Sequence, residues 1–231
     1  AMFSALALLP LTLLFWYLGR RSRHDLGLVL GSGEGYRWAL LYPLVVPGLL
    51  TAAAFAFGAV DLTEAEWGKA LRNIALASVV GTLGTLLTEE GFFRGWLWAA
   101  FKKAGRGDTA TLIWTSVLFT VWHLSAVLLD TDFAPPGHLV PIFLVNATLL
   151  GFNWGAMRLL SGSVLAPAIS HAVWNGLVYA LFGFGEKVGE LGIAAYGTYG
   201  PELGLLGIVG NGLFALLMWR WIQGRKIPTR R

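Results

Sequence analysis

The chain has no cysteine and little charge: only 13% of its 231 residues are Asp, Glu, Lys or Arg. The first absence removes disulfides, thiol nucleophiles, Cys-ligated zinc and iron–sulfur clusters, and leaves the redox compartment unread. The second excludes a soluble globule of this size, because soluble domains carry about a quarter charged residues over their wetted surface. Long linkers, internal repeats and low-complexity tracts are also missing, so residues 1–231 read as a single integral membrane domain. What is abundant points the same way. Hydrophobic residues make up 56% of the chain, mean hydropathy is +0.64, and there are 11 Trp and 30 Gly. The apolar residues fall in long blocks, not in the alternating or 3.6-residue patterns of soluble amphipathic elements. Trp favours membrane interfaces and Gly is common in spanning helices. The expected fold is all-α, a polytopic transmembrane helix bundle.

About 20 apolar residues cross a hydrocarbon core. Seven segments qualify, at 2–18, 38–60, 70–101, 110–129, 139–157, 164–184 and 203–221, within a range of six to eight spans. The third is too long for one straight span and invites a tilt, a kink near Gly91 or an exit into the cytosol. Pro43 and Pro47 predict a bend in the second. The first has no basic n-region, and Gly19-Arg20-Arg21 stands where small cleavage-site residues would be, so it reads as a retained span. In a seven-span arrangement thirteen basic residues share one side, among them Arg20, Arg21, Lys102, Lys103, Arg158 and Arg225. The other side holds Lys69, Arg72 and Lys187 against eight acids that include Asp130, Asp132, Glu186 and Glu202. That bias places the N-terminus outside and the C-terminus in the cytoplasm. The net charge of +4 therefore reads as membrane topology, with the lipid bilayer and not nucleic acid as partner.

Ionisable groups in mid-span are costly and need a reason. They are Glu89, Glu90 and Arg94 in the third segment, His123 in the fourth and His171 in the sixth, joined by the neutral Asn175. Glu90 and Arg94 stand at i and i+4, the favourable order for an ion pair. Glu89 is rotated from them by roughly 100° and can face a cavity. His171 and Asn175 share a face by the same spacing, and Phe119 can wall His123. At 1.5 Å rise per residue, Glu89 lies roughly 20 Å from the basic end of its helix, His123 roughly 22 Å from Asp108 and His171 roughly 12 Å from Ser163, or near 20 Å if its helix begins closer to Arg158. Three helices thus put their polar groups in one slab. Peptide hydrolysis needs a base to deprotonate water and donors aimed at the developing oxyanion. Glu89 with His123 can supply the first, and His171 with Asn175 the second.

Glu89-Glu90-Gly91-Phe92-Phe93-Arg94 reads EExxxR, Phe119 to His123 FxxxH, and His171 to Asn175 HxxxN. In this order, on separate spans, they resemble the CAAX-processing and bacteriocin-processing family of glutamate-dependent intramembrane proteases, which includes the Ras-converting CAAX endopeptidase. The resemblance covers roughly residues 87–176, and every motif position matches. It implies that Glu89 is the general base assisted by His123, that His171 and Asn175 form the oxyanion hole, and that Glu90 and Arg94 are a supporting pair. It also implies a site in a cavity open to the cytosol and no cofactor.

The catalytic core is expected at about 70–184. Trp122 and Trp174 flank the motifs as substrate-groove candidates, with ordinary packing as their simpler role. Asn146 and Asn153 read as helix–helix contacts, and Gly91/Gly95 and Gly151/Gly155 as close-packing faces. Two other function classes stay open. One is a zinc protease with Glu89, His123 and His171 as ligands, although HExxH is absent. The other is a non-proteolytic bacteriocin-immunity, transport or scaffold protein. The expected partner is a peptide or protein substrate, prenylated in the eukaryotic relatives, and the expected location is a prokaryotic cell membrane.

Overall fold

The computed structural model describes residues 2–129, 133, 135–185 and 187–225, with side chains from residue 6. Asp130, Asp132, Glu186, Lys226, Arg230 and Arg231, which contribute to the charge bias, lie outside the described residues. The long apolar runs form helices because a helix satisfies every backbone polar group within its own segment, as a hydrocarbon surrounding requires. In chain order these are α1 (Met2–Gly19), α2 (Gly33–Ala56), α3 (Trp67–Leu87), a π-helical segment (Gly91–Leu97), α4 (Trp98–Lys103), α5 (Asp108–Leu129), α6 (Val140–Ser161), α7 (Leu165–Leu181), the short α8 (Tyr196–Tyr199) and α9 (Leu205–Gly224). A two-residue antiparallel pair, β1 (Gly183–Phe184) and β2 (Lys187–Val188), follows α7. Among the described residues, five stretches are long and apolar enough to cross a membrane. α1 and the 17-residue α7 fall in the two remaining expected segments. α2 runs as one helix through Pro43 and Pro47.

α3 lies along α7, α5 along α6, and α6 touches both α7 and α9. Glycine makes these approaches close. A methyl group at Gly176 would stand 3.0 Å from the Ile74 carbonyl oxygen, and one at Gly155 would stand 2.5 Å from a Leu112 methyl carbon. Outward faces carry exposed Leu44, Leu49, Val79, Val80, Leu83 and Leu128, an apolar exterior that lipid would cover. Inside, Asn211 joins α9 to α2 and α6: it accepts from the Tyr42 hydroxyl at 2.7 Å and donates to Asn146 Oδ1 at 2.9 Å. Asn153 donates to the Asn211 carbonyl at 3.3 Å, so both predicted asparagines make helix–helix contacts.

Arg158 departs from its expected place in a cytoplasmic loop. Its helix continues to Ser161, where Gly162 at φ 72° caps it. The buried guanidinium donates to the carbonyl oxygens of Arg94 at 3.0 Å and Asp25 at 3.1 Å. Gly27 allows this approach, since a Cβ there would lie 2.6 Å from the guanidinium carbon.

Candidate active site

Regular α-helix stops at Thr88, whose φ of −115° and ψ of −101° turn the chain. The Thr88 hydroxyl donates to the Gly84 carbonyl at 2.7 Å, and Thr12 of α1 donates to the Thr88 carbonyl at 3.1 Å. The next turns are wound as a π-helix, a widened geometry that recurs at functional sites. The change of winding falls near Gly91, where one of the three expected accommodations is placed. Glu90 and Arg94 turn inward, with no exposed side-chain surface, and pair at 3.2 Å. Arg94 also donates to the Gly151 carbonyl at 2.8 Å, and its guanidinium carbon sits 4.3 Å from the Phe119 ring centroid. Glu90 Oε1 has a second partner that spacing did not reveal, His171 Nδ1 at 2.9 Å.

Glu89 points the other way, into a cavity of about 620 Å³ that His123, His171 and Asn175 also line. Its Oε2 is buried without a hydrogen-bond partner among the described residues. That atom lies 3.8 Å from His123 Nε2 and 3.9 Å from His171 Nε2. Both separations exceed a direct hydrogen bond, and a bridging water suits such gaps. Each imidazole is fixed through its other nitrogen. His123 Nδ1 meets the Phe119 carbonyl at 2.8 Å, and since a carbonyl only accepts, Nδ1 is the donor. The neutral ring then offers Nε2 as an acceptor. His171 Nδ1 donates to the Glu90 carboxylate, so its Nε2 donates only when the ring is protonated. Glu90 thus stands at hydrogen-bond distance behind the His171 ring.

The four motif residues expected to carry chemistry come together, and Phe119 walls His123 at a centroid distance of 4.3 Å. Trp122 and Trp174 do not line the cavity. Trp174 is fully buried, stacked on Tyr42 at 4.9 Å, and its indole donates to Glu202 at 2.9 Å. Trp122 packs beside the main apolar core. Trp154 and Glu202 are among the cavity residues that the sequence does not mark. Trp154 stacks on His171 at 3.8 Å and 15°, but it sits in an apolar run with no motif to mark it. Glu202 was counted among outer-loop acids, yet it is 7% exposed and lines the cavity. Its position directly before the last apolar run was the available signal.

The cavity extends past the motif residues. Beyond the motif residues its lining continues through Phe143, Tyr179, Phe184 and Lys187, near the ends of α6 and α7 remote from Arg20, Arg21, Lys102 and Lys103. With the basic end in the cytoplasm this part of the lining lies toward the outer face, and with the basic end outside it lies toward the cytosol. As for zinc, among the described residues no group of three or more His, Cys, Asp or Glu is arranged to hold a metal ion. Ligands on tetrahedral zinc at its usual bond lengths sit about 3.3 Å apart, closer than the Glu89–histidine separations here.

Residues 71–177 match the family model described as type II CAAX prenyl endopeptidase, Rce1-like. Over that stretch the chain is similar to the Rce1-like family. The matched stretch covers a little under half of the chain and contains Glu89, Glu90, Arg94, Phe119, His123, His171 and Asn175. The Rce1-like family is one of CAAX-type membrane endopeptidases, hydrolases of peptide or protein substrates, which agrees with the apolar helices of this integral membrane protein. α1, α2, α9 and Glu202 lie outside the match. No curated protein and no solved structure matches the chain.

Proposed function

We propose that this protein is a glutamate-dependent intramembrane endopeptidase that needs no metal. The observation that carries the reading is the convergence of two imidazole Nε2 atoms on the unpartnered Glu89 Oε2, inside a cavity large enough for a peptide segment. A water between them gives one hydrogen to Glu89 Oε2 and the other to His123 Nε2, which leaves its oxygen lone pair aimed at a scissile carbonyl. Glu89 takes the proton as the water adds to the carbonyl carbon, and later passes it to the leaving amine. The oxyanion accepts from the Nε2–H of a protonated His171 and from the Asn175 amide, while Glu90 balances the imidazolium charge. Arg94 positions Glu90 and does not touch substrate.

The orientation we adopt is N-terminus outside and basic end in the cytoplasm, so substrate reaches Glu89 from the face that carries Lys187. The walls from Phe133, Phe143 and Phe184 suit an apolar side chain or a prenyl group. The deciding experiment uses protein purified in detergent with quenched peptides, prenylated and unprenylated. It compares wild type, Glu89→Ala, and wild type with a chelator. Chelator-resistant cleavage that falls by about 10²-fold or more in Glu89→Ala, the loss typical of a general base, supports the reading. Cleavage abolished by the chelator and restored by zinc would replace it with a metalloprotease. A folded wild type that cuts neither peptide would favour the immunity, transport or scaffold alternative.

A further inference from the structure

At the end of the bundle opposite Lys187 lies a second cleft, of about 1,230 Å³, between the α1–α2 loop, the end of α4 and the α6–α7 turn. Its cations are Arg20, Arg21, Lys102, Lys103 and Arg158. The acid in its wall, Asp25, is turned to Ser22, whose hydroxyl it accepts at 2.7 Å. Lys102 leans to Asp108 at 2.7 Å outside that wall. Two further observations mark the cleft as more than a solvated charged face. The Nε of Arg21 is buried without a hydrogen-bond partner among the described residues. Arg20 is the one non-glycine described residue with positive φ, at 45°, a strained conformation of the kind that persists at ligand clamps. The last turn of α1, directly before these arginines, exposes Tyr17 and Leu18 at 82% and 61%, an aromatic and apolar edge at the level where a bilayer's headgroups begin.

We infer that this cleft binds a phosphate group, carried by an anionic phospholipid headgroup or present as free phosphate. Arginine and lysine clusters at the mouth of a helix bundle attract phosphate through charge and through the many donors of guanidinium. A phosphodiester in the cleft meets the exposed Arg20 guanidinium and the lysine ends, and its acyl chains run down past Tyr17 and Leu18. The inner wall is Arg158, which holds the Arg94 carbonyl, so the anion would sit one side chain away from the element that carries the candidate site.

Thermal unfolding of the full chain in a neutral detergent tests this, with added dioleoyl-phosphatidylglycerol, dioleoyl-phosphatidylcholine, inorganic phosphate, or sodium chloride at matched ionic strength. The wild type is compared with Lys103→Gln and with Arg21→Gln/Lys103→Gln; Lys103 is exposed, so its variant folds even if the double variant is impaired. Stabilisation by phosphatidylglycerol above phosphatidylcholine is expected, with apparent affinity falling about fivefold for each cation removed. Phosphatidylglycerol acting alone assigns the headgroup, whereas inorganic phosphate acting beyond the chloride control assigns the free anion. Equal stabilisation by both lipids with no phosphate effect, or unchanged affinity in Lys103→Gln, overturns the site. None of these readouts depends on peptide cleavage.

Discussion

Glu89 and Glu90 are adjacent in sequence and opposite in surroundings. One carboxylate faces a cavity, and the other is enclosed between a guanidinium and an imidazole. A buried charge pair adds little when intact, because each ion has lost its hydration, but removing one partner strands the other. Glu90→Ala is therefore expected to cost about 3–5 kcal/mol by leaving Arg94 uncompensated. The companion variant Glu90→Gln/Arg94→Met removes both charges and should recover most of that loss, yet it should not recover peptidase activity, because His171 loses its counter-charge. Unfolding in detergent followed by tryptophan fluorescence reads the first effect and peptide cleavage the second. A Glu90→Ala protein within 1 kcal/mol of wild type would contradict a stability role for the pair.

Between residue and fold stands the turn at 88–97, which carries the two glutamates and Arg94. Gly91 is required there. A Cβ at this position would stand 2.2 Å from the Leu86 carbonyl oxygen and 3.0 Å from Thr12 and Trp16 atoms of α1. Gly91→Ala should destabilise by about 1–3 kcal/mol through overpacking and should disturb the Glu90–Arg94 pair. Gly48→Ala in α2, where a methyl group meets nothing within 4 Å, is the matched control and should be neutral or slightly stabilising. Equal melting temperatures for the two variants would remove the special role of the turn. The elements most legible in the sequence are the long helices, since an uninterrupted apolar run leaves a chain few other ways to satisfy its backbone. The motif residues were legible as a set because spacing puts Glu90 with Arg94 and His171 with Asn175. What escaped notice depends on tertiary contact. Arg158 looks like the end of a span because hydropathy stops at a charge, yet helix α6 continues and the charge is met by two carbonyls of distant segments. Glu202 looks like a loop acid, and only the fold shows that residues 200–204 dip inward to receive the Trp174 indole. The Glu90–His171 contact joins positions 81 residues apart and has no local signature.

Across the whole molecule the two ends are chemically unlike. One gathers Arg20, Arg21, Lys102 and Lys103 around a polar cleft, and the other carries the aromatic wall of the candidate active site with Lys187 beside it. Translocating basic segments across an energised membrane is disfavoured, so the first end is expected in the cytoplasm. The absence of cysteine makes this directly measurable, since one introduced thiol is the only one in the protein. Both Lys103 and Lys187 are exposed, which suits Lys103→Cys and Lys187→Cys. In intact cells a membrane-impermeant maleimide should label Lys187→Cys and leave Lys103→Cys unlabelled until the membrane is opened. The reverse pattern would invert the orientation, and the cavity would then face the cytosol as the family resemblance first suggested. The distinction bears on substrate, because the cavity ends at the Lys187 face whichever way the bundle is inserted. With Lys187 outside, the peptides within reach of Glu89 are those of secreted or surface-anchored chains. With Lys187 inside, they are cytoplasmic termini, where a prenylated cysteine would be found.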